Sequence, residues 1–155
     1  LIKSWENASD TLASKIPVAK LRIPIVLSNN DGALVRINKI TNFGLASPLG
    51  SGEQTMPWVH VDDLCRMFVF AIENKLVGTF NANAGLDKNR IFMKAVASNM
   101  NRPFFFPSVP AFLLKLILGE KACIVLDGIK VSNEKIRAAG FTFQDSTLSS
   151  ALKKP

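Results

Sequence analysis

With 155 residues, 48% of them hydrophobic and 20% charged, the chain has the length and composition of one cored unit, which excludes a disordered or fibrous protein. Basic residues exceed acidic ones by seven, but Lys20, Arg22, Arg36, Lys39, Arg66, Arg90, Lys94 and Lys115 stand singly; nucleic acid is not expected as a partner, and phosphate-bearing small molecules or an acidic partner surface rank above it. The richest apolar window, Phe104 to Leu118, is broken by Pro107, Pro110 and Lys115, so no membrane partner is expected and a cytoplasmic protein is.

Ile2, Trp5, Ala8 and Leu12 have helical spacing, and Pro17 stops that helix. The chain begins at Leu1 without a basic-then-apolar leader, which reads as a truncation point. Leu21 to Leu27 is apolar throughout and predicts one strand, central in a parallel sheet, with Pro24 as the element that does not fit a ladder. Asn29-Asn30-Asp31-Gly32 predicts a turn, Ala33 to about Phe43 an amphipathic helix closed by Gly44, and Leu45 to Gln54 a loop. Gly50-Ser51-Gly52 runs into a loop and strand, not a helix, so it reads as turn geometry rather than a phosphate cradle.

Trp58-Val59-His60-Val61 predicts a buried strand, and Asp62 or Asp63 a cap on the helix that follows, Leu64 to about Asn74. That helix is apolar on nearly every face and must be covered on several sides. His60, the one histidine, alternates with valines, which favours a structural hydrogen bond over a catalytic imidazole. Cys65 and Cys123 fall in apolar helical patterns without metal-ligand spacing; buried free thiols and no metal are expected.

Gly78 to Asn83 predicts a short strand, and Leu86 to Met100 a helix with Ile91, Phe92, Ala95, Val96 and Met100 on its inner side. Pro103 to Pro107 reads as an extended segment whose Phe104 to Phe106 cluster belongs to the core, and Pro110 to Leu118 as a helix. Helix continues from Glu120, read as a structural carboxylate, to Leu126; Gly128 breaks it and Ile129-Lys130-Val131 is a brief strand. Ser132 or Asn133 caps a helix closed by Gly140, and Ser146 or Thr147 caps the last one, to Lys154. The alternation argues an α/β fold with a mostly helical second half.

The Gly-x-Gly turn running into aromatic-Val-His-Val-Asp-Asp-Leu at residues 50–64 resembles the extended short-chain dehydrogenase/reductases, the sugar-nucleotide epimerase group of NAD(P)-dependent proteins. Val109-Pro110-Ala111-Phe112, Leu118-Gly119-Glu120 and Ala139-Gly140-Phe141-Thr142-Phe143 are similar to the short C-terminal module of one atypical subfamily. The resemblance runs over almost the whole chain and corresponds to the C-terminal half of such a protein. It implies the closing part of a Rossmann-type parallel sheet with an inserted substrate-domain helix over residues 1–84, then a small helical substrate-domain module over residues 85–155. It also implies NADP or NAD as cofactor, NADP(H) preferred, and epimerase or oxidoreductase chemistry on an unidentified small molecule. The partner implied is the chain's own N-terminal half or a homo-oligomer.

Site residues follow from the same resemblance. Ile23 and Pro24 are expected against the nicotinamide, Ile25 and Met56 toward substrate, and Gln54 is expected to hydrogen-bond a smaller polar ligand. No catalytic residue is expected here. The family's Tyr-x-x-x-Lys pair has no tyrosine to match, its lysine position falls at Ile2, and Lys3 is one residue out of register. No Gly-rich turn joins a first strand to a helix, so the chain by itself is expected to be catalytically silent. The arginine that grips the diphosphate of sugar nucleotides is replaced by Met56, which argues against that substrate. The competing reading is a non-catalytic binding or regulatory protein of the same fold.

Overall fold

A computed structural model describes Glu6, Asp10, Thr11, Ala13, residues 15–119 and residues 122–154. The helix expected around Ile2, Trp5, Ala8 and Leu12, the register of Lys3, and the role given to Glu120 lie outside the described residues.

The apolar segment expected as one central strand is two strands. β1 (Ala19–Arg22) runs parallel to β4 (Gly78–Asn81), in register from Ala19 opposite Gly78 to Arg22 opposite Asn81. β2 (Ile25–Leu27) runs parallel to β3 (Thr55–His60), with Ile25 opposite Trp58 and Leu27 opposite His60. The chain changes partner at Ile23-Pro24, where proline has no N–H to give a ladder. Among the described residues β1 is paired on one side only and β2 on one side only.

β3 is the middle of the second sheet, because β5 (Gly85–Lys88) pairs antiparallel on its other side. The sequence reading assigned this stretch to the start of a helix. Tertiary contact overrides local propensity here: the Trp58 indole N–H donates to Asp87 Oδ2 at 2.6 Å. A Cβ on Gly85 would lie 2.4 Å from that indole ring, so only glycine lets the two strands close.

The helices fill the spaces between. α1 (Ala33–Asn42) ends before Gly44, whose φ of +75° suits glycine. α2 (Val61–Glu73) leaves β3 without a loop, burying Leu64, Met67 and Ala71. Its other flank is open among the described residues, with Phe68 44%, Val69 53% and Ile72 76% exposed. α3 (Asn89–Asn99) turns Phe92, Met93, Val96 and Ala97 inward, so the expected inner stripe is rotated and Ile91 faces out.

α4 (Ala111–Leu118) starts at Pro110, and α5 (Ala122–Leu126) follows. α6 (Glu134–Ala138) closes into Gly140 at φ +100°. Of the two candidate caps, Ser146 and Thr147, it is Thr147 that caps α7 (Leu148–Lys153), its Oγ1 accepting from the Ser150 N–H. The core formed by Leu27, Trp58, Val59, Met67, Phe80, Phe92 and Ile136 lies between the sheets and α2, α3 and α6.

Three further expectations are corrected. Cys65 and Cys123 are exposed, because each falls on the outer side of its helix. Phe104 packs on the core, but Phe105 and Phe106 stack on each other at 4.6 Å between centroids and stand in the open. Ile129-Lys130-Val131 is not a strand: side chains hold it across the two sheets. Thr55 Oγ1 donates to the Ile129 carbonyl at 3.0 Å and Asn81 Nδ2 to the Ser132 carbonyl at 2.8 Å. A Cβ at Gly128 would meet the Thr55 backbone nitrogen at 2.8 Å, so glycine lets this strap lie down on β3.

Candidate functional site

In open parallel sheets the carboxyl ends of the strands are where ligands are held, because the chain turns away there and leaves a crevice. β1 and β4 end side by side at Arg22 and Asn81, and a groove of about 870 Å³ opens at that end. This falls in the range of small-molecule sites, ~300–1,000 Å³. Ile23 and Pro24, at the change of sheet, form one wall; Pro57 of β3 continues it; the strap Ile129 to Ser132 closes the other side. Ile23 is half exposed into this apolar setting.

The polar groups differ in how they are engaged. Arg22 donates from Nε and Nη2 to both carboxylate oxygens of Glu6, at 2.7 and 2.8 Å. That hydrogen bond holds the Glu6 carboxyl below its ordinary pKa and raises that of Arg22. Lys20 is paired with Asp10 at 2.6 Å. Lys130 lines the groove, exposed, with no hydrogen bond or ion pair to any described residue. Asn83 is 3% exposed; its amide nitrogen reaches the Val131 carbonyl at 3.5 Å and its amide oxygen is buried without a partner among the described residues.

Two of the site residues expected from sequence, Ile23 and Pro24, meet in the groove wall. Ile25, Gln54 and Met56 are not among the residues that line it. Ile25 is half-buried in β2 opposite Trp58. Gln54 Nε2 donates to the Leu49 carbonyl at 2.8 Å and its Oε1 accepts from Ser51 Oγ at 3.2 Å, holding the Gly-Ser-Gly turn together. Met56 is buried, its sulfur 3.0 Å from Asn89 Nδ2. Side chains alternate along a strand, so when Met56 and Trp58 go inward it is Pro57 that reaches the groove. Lys130, Asn83 and Ile129 had no signal in the sequence, because only tertiary folding lays the strap over β3.

The His60 to Asp63 step is structural, though its parts exchange roles. His60 is the helix cap: its Nδ1 accepts from the Asp62 N–H at 3.2 Å. Asp62 is exposed, 3.4 Å from His60 Nδ1 and 3.7 Å from Lys154. Asp63, fully buried, caps nothing in α2. It accepts from the Gln144 and Asp145 backbone N–H groups, both at 3.0 Å, and from Arg66 at 2.6 Å. Among the described residues no group of three or more His, Cys, Asp or Glu side chains is placed to hold a metal ion, and no helix is long and apolar enough to cross a membrane.

The model of the NAD dependent epimerase/dehydratase family matches residues 27–83, the stretch from β2 through α2 to β4, and a domain of unknown function, DUF1731, matches residues 109–154. Over residues 27–83 the chain is similar to the NAD dependent epimerase/dehydratase family. It is 32% identical over 156 residues to the epimerase family protein SDR39U1 of Mus musculus, covering 99% of this chain and 53% of that relative. The epimerase family protein SH2119 of Staphylococcus haemolyticus is 39% identical, with 99% and 52% covered. The chain thus spans about half the length of the curated relatives it matches. The crystal structure of human epimerase family protein SDR39U1 with NADPH is 29% identical and superposes with a TM-score of 0.82 over 87% of this chain and 46% of that one. The UDP-glucose 4-epimerase of Thermus thermophilus, in complex with NAD, shares the fold at a TM-score of 0.69 and 16% identity, over 96% of this chain and 49% of that one. The chain is thus an α/β fold with parallel strand pairing and several helices, and its structural neighbours are Rossmann-type epimerases.

Proposed function

We propose that this chain forms the nicotinamide-facing wall and the substrate chamber of an NADP(H)- or NAD(H)-dependent epimerase or oxidoreductase, NADP(H) being preferred, whose pyrophosphate-binding turn lies elsewhere in a longer protein. The carrying observation is the groove at the carboxyl ends of β1 and β4, walled by Ile23 and Pro24. A flat apolar wall suits a nicotinamide ring, and the related human protein crystallised with NADPH supports that choice. When bound, the nicotinamide supplies or takes up hydride. The chain's own work is to hold the ring against Ile23 and Pro24 and to keep water out with Pro57 and the strap. The strands β1 to β5 contribute the sheets and the wall, and the strap Ile129 to Ser132 the cover. The substrate is a small molecule that enters the groove beside this wall.

The test uses the full-length protein. Ile23→Asp puts a charge against the ring and weakens NADPH by roughly five- to tenfold, while 2′-phospho-ADP-ribose, which has no nicotinamide, binds unchanged. Equal loss for both ligands, or for neither, overturns the assignment of this wall to the nicotinamide.

A further inference from the structure

The groove contains two polar groups that the cofactor reading leaves unused, and they differ in sign of demand. Lys130 is a cation without a partner among the described residues, on the strap. Asn83 presents, just below the strap, an amide oxygen that is buried and accepts no hydrogen bond from any described residue. Leaving such an acceptor unpaired costs about 1–3 kcal/mol, a penalty that a donor brought by a ligand removes.

The orientation of Asn83 is set by its surroundings. Its Nδ2 faces the Val131 carbonyl at 3.5 Å, the outer limit of a hydrogen bond, and its backbone carbonyl accepts from Asn133 Nδ2 at 2.8 Å. The oxygen end is therefore the one left over. The strap is tied at Thr55, Asn81 and Asn133 by bonds of 2.8–3.0 Å and at Val131 by one of 3.5 Å, so a ligand that donates to Asn83 Oδ1 displaces the strap at its weakest tie. The apolar lining is Ile23, Pro24, Pro57, Ile129 and Val131, while the other charged groups at the groove are already paired, Arg22 with Glu6 and Lys20 with Asp10.

We infer that the substrate of this groove is a small hydroxy acid with an apolar body, its carboxylate held by Lys130 and its hydroxyl donating to Asn83 Oδ1. This rests on the reading of the groove as nicotinamide-facing. It adds a requirement that the reading does not contain, an anionic group at one end and a hydroxyl donor at the other. Lys130 and Asn83 are specificity-determining residues on this view. Neither is assigned to hydride transfer.

The experiment uses full-length protein saturated with NADP+, titrated by calorimetry with short- and medium-chain aliphatic and aryl hydroxy acids. Each acid is paired with its amide, which lacks the charge, and its deoxy acid, which lacks the hydroxyl. The acids are expected to bind, with amides weaker by roughly ten- to a hundredfold, the value of a charge-assisted hydrogen bond. Lys130→Gln loses the same factor for the acids and nothing for the amides, and Lys130→Arg keeps most of the affinity. Asn83→Ala removes the difference between hydroxy and deoxy acids. NADPH affinity, measured separately, is unchanged in Lys130→Gln.

Acids and amides binding alike, or no hydroxy acid binding while NADPH binds normally, overturns the proposal and leaves the cofactor reading intact. A Lys130→Gln variant that loses NADPH makes Lys130 a cofactor contact and overturns it too. Failure of the wild-type protein to bind NADPH brings down the cofactor reading, and this inference with it.

Discussion

At the scale of single residues, adjacent carboxylates in one sequence step have opposite consequences. Asp62 is solvent-exposed, and its nearest partners are at 3.4 and 3.7 Å. Asp62→Ala is therefore expected to change stability by less than ~0.5 kcal/mol in thermal unfolding. Asp63→Ala removes the acceptor of two backbone N–H groups and of Arg66 in a fully buried place, and is expected to cost roughly 3 kcal/mol or more. Equal effects from the two substitutions in the same measurement would contradict this assignment. Sequence read the Asp-Asp step as the cap of α2, but that role falls to His60, and the two carboxylates lie in the first turn. It could not say which carboxylate matters, because the partners of Asp63 lie some eighty residues downstream.

At the scale of elements, β5 and α3 show what local pattern misses. Gly85 to Lys88 has no strand composition, yet it pairs with β3 because Gly85 lets the Trp58 ring lie flat and Asp87 accepts its N–H. Gly85→Ala forces the ring aside and is expected to lower stability by about 1–3 kcal/mol in denaturant titration. An unchanged midpoint would show that the ring moves freely. In α3 the rotated inner stripe makes a sharper pair. Phe92→Ala is expected to cost ~3–5 kcal/mol and Ile91→Ala under ~1 kcal/mol, although both were read from periodicity as inward. A stripe of apolar residues wider than the buried face leaves its rotation undetermined; packing against α1 and α7 settles it.

At the scale of the whole molecule, the open flank of α2 and the singly paired β1 are surfaces that a further segment or a second copy is suited to cover. The isolated chain is expected to self-associate with rising concentration in sedimentation, and Phe68→Glu with Ile72→Glu to shift it toward monomer. A wild-type chain that stays monomeric across that range would show that these surfaces are tolerated in water.

The sequence by itself determined the α/β alternation, the resemblance carried by its Trp-Val-His-Val-Asp-Asp step, a cap at Ser146 or Thr147, the helix end at Gly140, and Pro24 as a break in a strand ladder. Each depends on neighbours within a few positions, on hydrophobic period, glycine conformation or the missing N–H of proline, and such signals are written locally. Only the tertiary structure decided the rest. It split the expected central strand between two sheets, turned Pro57 rather than Met56 to the groove, laid Val131 beside Asn83 and put Lys130 in the groove lining. Those contacts join residues that are dozens of positions apart, and a strand's side chains change faces with a shift of one residue, so no local pattern carries them.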